Sequence, residues 1–276
     1  MRAEPENTSA SDAAPAVSVV IPVHDEVDSL ALLIDELREE MAALEASWEL
    51  LVIDDGSTDG TAALLAQLID VCPELVTARL PSRRGKSAAL AAGIARARGE
   101  VIVTMDGDLQ NDPADIPALV ARLSEGFDLV NGLRHHRQDS PSKRAQSALF
   151  NAVVRRVFGV PLHDLNCGLK AFRKSRVSSA SLHSGMHRYL PVLIVAQAGT
   201  VTELPVRHRP RLYGRSKYGI ERVLPSALDL CSVLLMTRLR CSPPRAHALS
   251  RSIGVVVGLL ACALAGSWLA SLVAAS

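Results

Sequence analysis

The sequence has 276 residues, enough for one large domain and an additional segment. Its apolar content of 48% is high for a soluble protein. Its formal net charge of +1 identifies no class of partner. We expect no nucleic acid to bind it. The five cysteines are scattered and have no C-x-x-C spacing, which excludes a disulfide framework and a cysteine-based zinc site.

The first half of the chain alternates between short apolar, β-branched runs and segments whose apolar residues recur at helical spacing. Polar residues collect just after each apolar run, where the predicted strands end. This pattern is typical of a parallel sheet that is covered by helices on both faces and binds ligands at the carboxyl ends of its strands. The predicted strands are residues 17–22, 49–54, 76–80 and 100–106, and the predicted helices are residues 29–46, 61–69 and 88–97.

The second half of the chain is more basic and ends in a very apolar segment. We predict a helix over residues 117–124, a strand over 127–131, a basic loop and helix up to residue 159, and strand-like structure over 196–210. We interpret residues 220–240 as an amphipathic helix lying in the membrane interface, because Arg222 and Asp229 interrupt its apolar run. The alternative is a surface helix that packs on the domain.

Residues 253–275 contain no charged side chain. As a helix this run would be roughly 34 Å long, which is enough to cross a bilayer core. The alternative is a buried core helix, although such helices are usually shorter and carry a polar face. Because arginines precede the run and no basic residue follows it, the positive-inside bias places the preceding bulk of the chain in the cytoplasm. We therefore expect a single-pass protein of the cell membrane.

Two acidic, glycine-containing loops follow the first two predicted strands: PVHDE at residues 22–26 and DDGSTDGT at residues 54–61. Neighbouring carboxylates at strand ends can accept hydrogen bonds from a ribose diol and a base N–H, and the glycine lets the backbone approach a ligand closely. The alternative is an Asx turn followed by a helix cap, since Ser57, Thr58 and Asp59 are good capping residues. The GKS tripeptide around Lys86 is not a P-loop, because the first glycine of that motif would fall on Leu80.

A third acidic stretch, VTMDGDLQNDP at residues 103–113, follows the fourth predicted strand. On an extended chain, Asp106 and Asp108 would point to the same side and repel each other. Two carboxylates and the amide oxygen of Gln110 are hard ligands suited to Mg²⁺ or Mn²⁺, which would offset that repulsion. An EF-hand is excluded, because its sixth position would be Asn111 and its twelfth Pro117.

These three segments resemble the nucleotide-sugar half of the inverting family 2 glycosyltransferases, which have an α/β fold of the GT-A type. Later segments, NGLR, DLNCGLKAFRK, HRYLPVL and VRHRPRLYGRSKYG, resemble the polyprenyl-phosphate group of that family. That group includes dolichol-phosphate mannose synthases and undecaprenyl-phosphate glucosyltransferases. The resemblance covers residues 17–240, nearly all of the chain before the apolar run. It departs from the group at the C-terminus, where many members have two membrane helices.

The resemblance implies a metal-dependent enzyme, with Mg²⁺ or Mn²⁺, that moves a hexose from a nucleotide-diphosphate sugar to a polyprenyl phosphate. GDP-mannose and UDP-glucose are the leading donors, the lipid is undecaprenyl or dolichyl phosphate, and the reaction occurs with inversion at the cytoplasmic membrane face. A lipid phosphate is already anionic, so it needs cations such as arginine more than a general base. Membrane lipids are further partners, and a homo-oligomer is left open.

The same resemblance assigns the site residues. The nucleotide-sugar site would comprise Pro22, Glu26, Asp54, Asp55, Lys86 and Asp106, and the metal ligands would be Asp106, Asp108 and Gln110. The acceptor phosphate would be held by Arg134, Arg144, Ser147, Arg215 and Lys217, and the catalytic set would be Asp106, Asp108, Asp164 and Arg215. The expected domains are a disordered leader without a signal peptide (1–16), the GT-A catalytic domain (17–215), an acceptor loop with the interfacial helix (216–251) and a transmembrane helix (252–275).

Three alternatives stay in view. A processive polysaccharide synthase shares the front half, but it would need several membrane spans and a Q-x-x-R-W segment, and neither Trp48 nor Trp268 lies in one. A non-catalytic nucleotide-sugar- or lipid-binding regulator would lack the intact D-x-D that is present here. The spacing of His183 and His187 would suit zinc, but no third ligand is evident.

Overall fold

The structure, a computed structural model, describes residues 14–135, 144–178, 182, 185–213, 229–230, 232–234 and 236–237, and the backbone of residues 141–143. Its centre is a seven-stranded sheet. The strands are β1 (Val17–Val23), β2 (Trp48–Asp54), β3 (Leu75–Arg79), β4 (Val101–Thr104), β5 (Leu129–Arg134), β6 (Lys170–Arg173) and β7 (Val201–Val206). Their spatial order is β3-β2-β1-β4-β6-β5-β7.

The sheet is mostly parallel, as predicted. β1 pairs in parallel with β2 and β4, β2 with β3, and β5 with β7. Among the strands that the structure describes, only β6 runs antiparallel, between β4 and β5. Six of the seven residues of β1 are buried, which is typical of a strand covered on both faces.

Helices with bounds in the described residues cover the sheet: α1 (Val27–Ala42), α2 (Thr61–Leu68), α3 (Lys86–Arg96), α4 (Ile116–Ser124), α5 (Pro141–Phe158) and α6 (Leu190–Val195). The helical spacing read from the sequence for α1 is confirmed, since Leu30, Leu33, Leu37 and Met41 are buried along one face. The apolar core forms two clusters, one with α1, α2 and α4 and the other with α3, α5 and α6. Helices therefore cover both faces of the sheet, as the strand–helix alternation predicted.

The structure corrects several predicted boundaries. The fourth strand was expected to continue to residue 106 but ends at Thr104, and Leu109 adopts a left-handed backbone with φ of 61°. The acidic stretch is therefore a turn rather than an extended strand end. The strand-like region over 196–210 contains a regular strand only in β7. No strand was predicted at β6, because a four-residue strand that begins with a lysine shows no clear periodicity.

The C-terminal part of the chain is described only in part. Residues 229–230, 232–234 and 236–237 are helical, and Leu230, Val233 and Leu234 are buried in the same cluster as Tyr189. For these residues the structure matches the alternative of a helix packed on the domain. Among the helices that the structure describes, none is long and apolar enough to cross a membrane. The predicted membrane helix at 252–275, most of the segment 216–251 and leader residues 1–13 lie outside the described residues.

Candidate active site

The two acidic loops after β1 and β2 lie side by side and are joined by hydrogen bonds. The parallel register places Val23 opposite Asp54, so both loops leave the sheet at the same edge. The Asp25 carboxylate accepts from the backbone N–H of Thr58 at 2.7 Å, and the Asp25 N–H donates to Ser57 Oγ at 2.9 Å. The N–H of Glu26, at the start of α1, donates to Thr61 Oγ1 at 3.1 Å. Ser57 and Thr58, which the alternative interpretation treated as helix-capping residues, thus connect the two loops.

Asp54 and Asp55, at the end of β2, shape the neighbouring loop. Asp54 Oδ1 accepts from the N–H of Ser57 at 2.8 Å. Asp55 accepts from two backbone N–H groups, those of Arg84 at 2.6 Å and Gly85 at 2.8 Å. Asp55 therefore holds the loop that leads into α3 and delivers Lys86 at the first residue of that helix.

Gly56 is required where this loop meets β2. Its φ of +71° lies in the left-handed region, and a Cβ there would stand 2.7 Å from the backbone nitrogen of Arg83. A side chain at this position would push the two loops apart. The sequence predicted that this glycine would let the backbone approach a ligand closely. In the structure, Gly56 instead lets the backbone approach another loop of the same protein.

The three predicted metal ligands lie at the turn after β4, where each carboxylate meets a cation. Lys86 Nζ donates to Asp106 Oδ1. Arg211 Nη2 donates to Asp108 Oδ2 and also lies 3.3 Å from Gln110 Oε1. The sequence predicted Lys86, Asp106, Asp108 and Gln110 as site residues, and the structure brings them together. It did not predict that Arg211 would contact this turn.

The two carboxylates differ in their electrostatics. Burial alone would raise the pKa of Asp106, but the charge of Lys86, with those of Arg134 and Lys170, holds it below its ordinary value. Burial, and then the nearby negative charge of Asp106, raise the pKa of Asp108 to about 6. The mutual repulsion expected from the sequence is therefore present in the fold.

The carboxylate and amide oxygens of this turn fit a hard divalent cation. Such a cation would also offset the repulsion between the two carboxylates. No group of three or more His, Cys, Asp or Glu side chains within the described parts of the chain is arranged to hold a metal. A cation bound by Asp106 and Asp108 would therefore draw its remaining ligands from Gln110, from water or from a bound phosphate.

Arg134 and Asp164, both assigned from the sequence, form a nearly buried ion pair. Arg134 Nε donates to Asp164 Oδ2 at 2.7 Å, and Nη2 donates to Oδ1 at 2.9 Å. The exposed fraction of the side chain is 13% for Arg134 and 4% for Asp164. A carboxylate held by both arms of a guanidinium orients that guanidinium, which suits Asp164 to a positioning role.

Sequence reasoning missed a buried lysine beneath this pair. Lys170 Nζ donates to Asn131 Oδ1 at 2.7 Å, to the Leu165 carbonyl at 3.0 Å and to the Cys167 carbonyl. Burial lowers the pKa of Lys170 to about 8. The only signal in the sequence was a lysine within the apolar run GLKAF, where a surface position would not be expected.

Gly168 connects this lysine-held loop to the acidic turn. A Cβ at Gly168 would stand 2.6 Å from the Asp106 carboxylate, and the Gly168 carbonyl accepts from Thr104 Oγ1 at 3.0 Å. The loop of residues 164–168 therefore contacts Asp106 at one end and Arg134 at the other.

The remaining predicted residues are more scattered. Pro22 lies within β1, and the Glu26 carboxylate accepts from Ser29 Oγ at 3.2 Å. On α5, Ser147 is buried and Arg144 is exposed. His187 Nδ1 lies 2.7 Å from Ser87 Oγ, which ties it to the first turn of α3. Arg215, Lys217 and His183 lie outside the described residues.

Comparison with known proteins shows the family of the chain. Residues 18–178 match the model of glycosyl transferase family 2. The chain is 36% identical over 265 residues to an undecaprenyl-phosphate 4-deoxy-4-formamido-L-arabinose transferase from Salmonella choleraesuis (strain SC-B67), covering 94% of this chain and 81% of that protein.

Two solved structures share the fold. Glucosyl-3-phosphoglycerate synthase from Mycobacterium tuberculosis, in complex with Mn²⁺, UDP and glucosyl-3-phosphoglycerate, has a TM-score of 0.62 and 19% identity over 81% of this chain and 80% of that one. The mannosyltransferase PcManGT from Pyrobaculum calidifontis, in complex with GDP-Man and Mn²⁺, has a TM-score of 0.60 and 19% identity over 98% of this chain and 83% of that one. The GT-A fold expected from the sequence motifs is confirmed. The chain belongs to glycosyl transferase family 2 and, within it, to the polyprenyl-phosphate glycosyltransferases that its motifs resemble.

Proposed function

We propose that the protein transfers a sugar from a nucleotide-diphosphate sugar to undecaprenyl phosphate or a similar polyprenyl phosphate at the cytoplasmic membrane face. The observation that carries this proposal is that one loop joins the acidic turn to the ion pair of Arg134 and Asp164. The loop of residues 164–168 touches Asp106 through Gly168 and holds Arg134 through Asp164. Two anionic groups can therefore meet at one edge of the sheet. One is the leaving group, held by a metal, and the other is the acceptor, held by arginine.

On the donor side, the acidic turn and Lys86 would hold the diphosphate. Mg²⁺ or Mn²⁺ bound by Asp106, Asp108 and Gln110 would supply positive charge to the leaving nucleoside diphosphate. Lys86 pairs with Asp106 at the start of α3, so its ammonium is positioned beside the same charge. The loops after β1 and β2, with Glu26, Asp54 and Asp55, lie along the edge where the nucleoside would extend.

On the acceptor side, Arg134 would bind the lipid phosphate through its guanidinium, oriented by Asp164. A phosphate oxygen then forms the bond to the anomeric carbon while the bond from that carbon to the diphosphate oxygen breaks, with inversion. The phosphate is already ionised at neutral pH, so no proton must be removed and no general base is needed. Arg144, Ser147, Arg215 and Lys217 are further proposed contacts for this phosphate.

A transfer assay tests the proposal. The full chain, purified in detergent, is incubated with undecaprenyl or dolichyl phosphate and with radiolabelled GDP-mannose, UDP-glucose, UDP-N-acetylglucosamine or a UDP-formamido-arabinose donor. We expect label in a lipid that mild acid cleaves, and only in the presence of Mg²⁺ or Mn²⁺. Label in a polymer would instead indicate a synthase, and no label with any donor would favour a binding regulator.

A pair of variants makes the assay specific to the acidic turn. Asp108→Asn removes one predicted metal ligand and should lower transfer by at least about a hundredfold. Glu125→Gln also removes one negative charge, but on the exposed end of α4 where Glu125 pairs with Arg122, and should leave transfer unchanged. Equal activity of the two variants would remove Asp108 from the site.

A further inference from the structure

Arg211 contacts two of the three predicted metal ligands. Its guanidinium donates to Asp108 Oδ2 and lies 3.3 Å from Gln110 Oε1. The contact is largely shielded from solvent, since the exposed fraction of the side chain is 23% for Arg211 and 12% for Asp108. The guanidinium of Arg211 therefore already places a positive charge beside the oxygens that a divalent cation would use.

The backbone before Arg211 aims it at this turn. The N–H of Arg209 donates to the Gln110 carbonyl at 2.9 Å, and His208 forms an isolated antiparallel bridge with Asn111. Arg209 also pairs with Asp112 at 2.8 Å and with Glu36 at 2.7 Å. The segment after β7 is thus attached to the acidic turn along its length, and the contact of Arg211 follows from that attachment.

A guanidinium and a divalent cation that bind the same two side chains repel each other because both are positive, so Arg211 and a metal would compete for Asp108 and Gln110. We propose that Arg211 serves as the counter-ion of the acidic turn in the metal-free protein and gives up Asp108 and Gln110 to the metal when the donor binds. The displaced guanidinium then pairs with the donor diphosphate, whose geometry suits its planar fork. This inference rests on the proposed function, since it assigns the acidic turn to a metal and a nucleotide diphosphate.

The consequence is that the binding of the metal and the binding of the nucleotide are coupled. Without nucleotide, the metal must compete with Arg211 and binds weakly. With nucleotide, the diphosphate supplies ligands to the metal and a partner to Arg211, so both cations are satisfied together. The metal is therefore expected to bind as a complex with the donor rather than in advance of it.

Titration with Mn²⁺ tests the coupling through metal binding itself. The full chain in detergent is titrated with Mn²⁺, alone and with UDP or GDP, and free Mn²⁺ is measured by electron paramagnetic resonance. In Arg211→Ala we expect Mn²⁺ alone to bind about tenfold more tightly than in the unchanged protein, because the competing charge is gone. The gain in Mn²⁺ affinity on adding nucleotide should shrink in this variant, because the diphosphate loses one cationic partner.

Two further variants control for charge and folding. Arg211→Lys keeps a tethered positive charge and should return Mn²⁺ affinity most of the way to the unchanged value. Arg122→Ala removes an arginine from the exposed end of α4 and should leave both titrations unchanged. Mn²⁺ affinity that is unchanged or weaker in Arg211→Ala, or no Mn²⁺ binding by any variant, would overturn the proposal. Because the readout is metal binding, a failed sugar-transfer assay would contradict the proposed function without deciding this competition.

Discussion

The side chain of Asp108 is subject to opposing influences. It is nearly buried and close to the negative charge of Asp106, and both raise its pKa, while Arg211 donates to it and lowers that pKa. The net result is a pKa of about 6. A carboxylate with this property keeps a proton more readily than an ordinary surface aspartate, and it gains most from a bound cation.

Metal binding should therefore depend on pH in the mildly acidic range. Only the ionised carboxylate ligates a metal, so Mn²⁺ affinity should be highest above the pKa of Asp108 and fall as the pH drops through about 6. Below that point, affinity should fall about tenfold for each pH unit. Titration of the full chain with Mn²⁺ at several pH values measures this, and Asp108→Asn, which cannot ionise, provides the control. A pH-independent affinity would contradict the assignment of Asp108 as a ligand.

Arg134 gives a second prediction at the scale of one residue. Arg134→Lys keeps the positive charge but loses the two-armed contact with Asp164. We expect the KM for the lipid phosphate to rise about tenfold while the KM for the donor stays the same. Steady-state kinetics with each substrate varied in turn separates the two constants. A change confined to the donor KM would move Arg134 to the nucleotide side of the site.

At the scale of elements, the short antiparallel strand β6 organises the acceptor side. It lies between β4, which leads to the acidic turn, and β5, which ends at Arg134. Lys170 begins β6 and holds the preceding loop through the carbonyls of Leu165 and Cys167. The loop therefore keeps a fixed position between the two strand ends, and Asp164 and Gly168 are placed with it.

Loss of this lysine should destabilise the fold. Lys170→Met leaves the Asn131 side-chain oxygen and two backbone carbonyls buried without their donor, so we expect a loss of at least about 3 kcal/mol in the free energy of unfolding. Lys174→Met is the matched control, because Lys174 donates to the single carbonyl of Ala97 and should cost at most about 1.5 kcal/mol. Urea unfolding followed by circular dichroism compares the two. Equal losses would show that Lys170 is not an organising contact.

At the scale of the whole molecule, the polar residues of the candidate site lie at one edge of the sheet. The parallel strands β1, β2 and β4 carry their loops to the same side, where Asp25, Asp55 and Asp106 follow the strand ends. Two apolar clusters fill the faces of the sheet and leave this edge for ligands. The polyprenyl phosphate proposed as the acceptor adds one requirement, because the edge must also reach a membrane surface.

We predict that the apolar run near the C-terminus meets that requirement. The full chain should stay in the membrane pellet after extraction with alkaline carbonate, because residues 253–275 carry no charge and match the thickness of a bilayer core. Deletion of residues 252–276 should release the protein into the supernatant. Release of the full chain under the same conditions would contradict a membrane-spanning anchor, and retention of the truncated chain would place the membrane contact elsewhere.

The sequence by itself determined the local and periodic features. Apolar runs predicted β1, β2, β3 and β4, and helical spacing predicted the buried face of α1. A contiguous motif placed Asp106, Asp108 and Gln110 together as candidate ligands. The predictions of strands and of the helix face are confirmed because each depends on residues close together in the chain. The assignment of the acidic turn to a metal stays a prediction.

Only the tertiary structure decided which distant residues meet. Arg211 lies about a hundred positions from Asp108, and Lys170 meets Asn131 across 39 positions. Their partners are chosen by strand order and register, above all by the insertion of the antiparallel β6 between β4 and β5. A lysine or arginine has the same charge wherever it stands in the sequence. Whether it pairs with a carboxylate or supports a loop depends on what the fold places within a few ångströms of it.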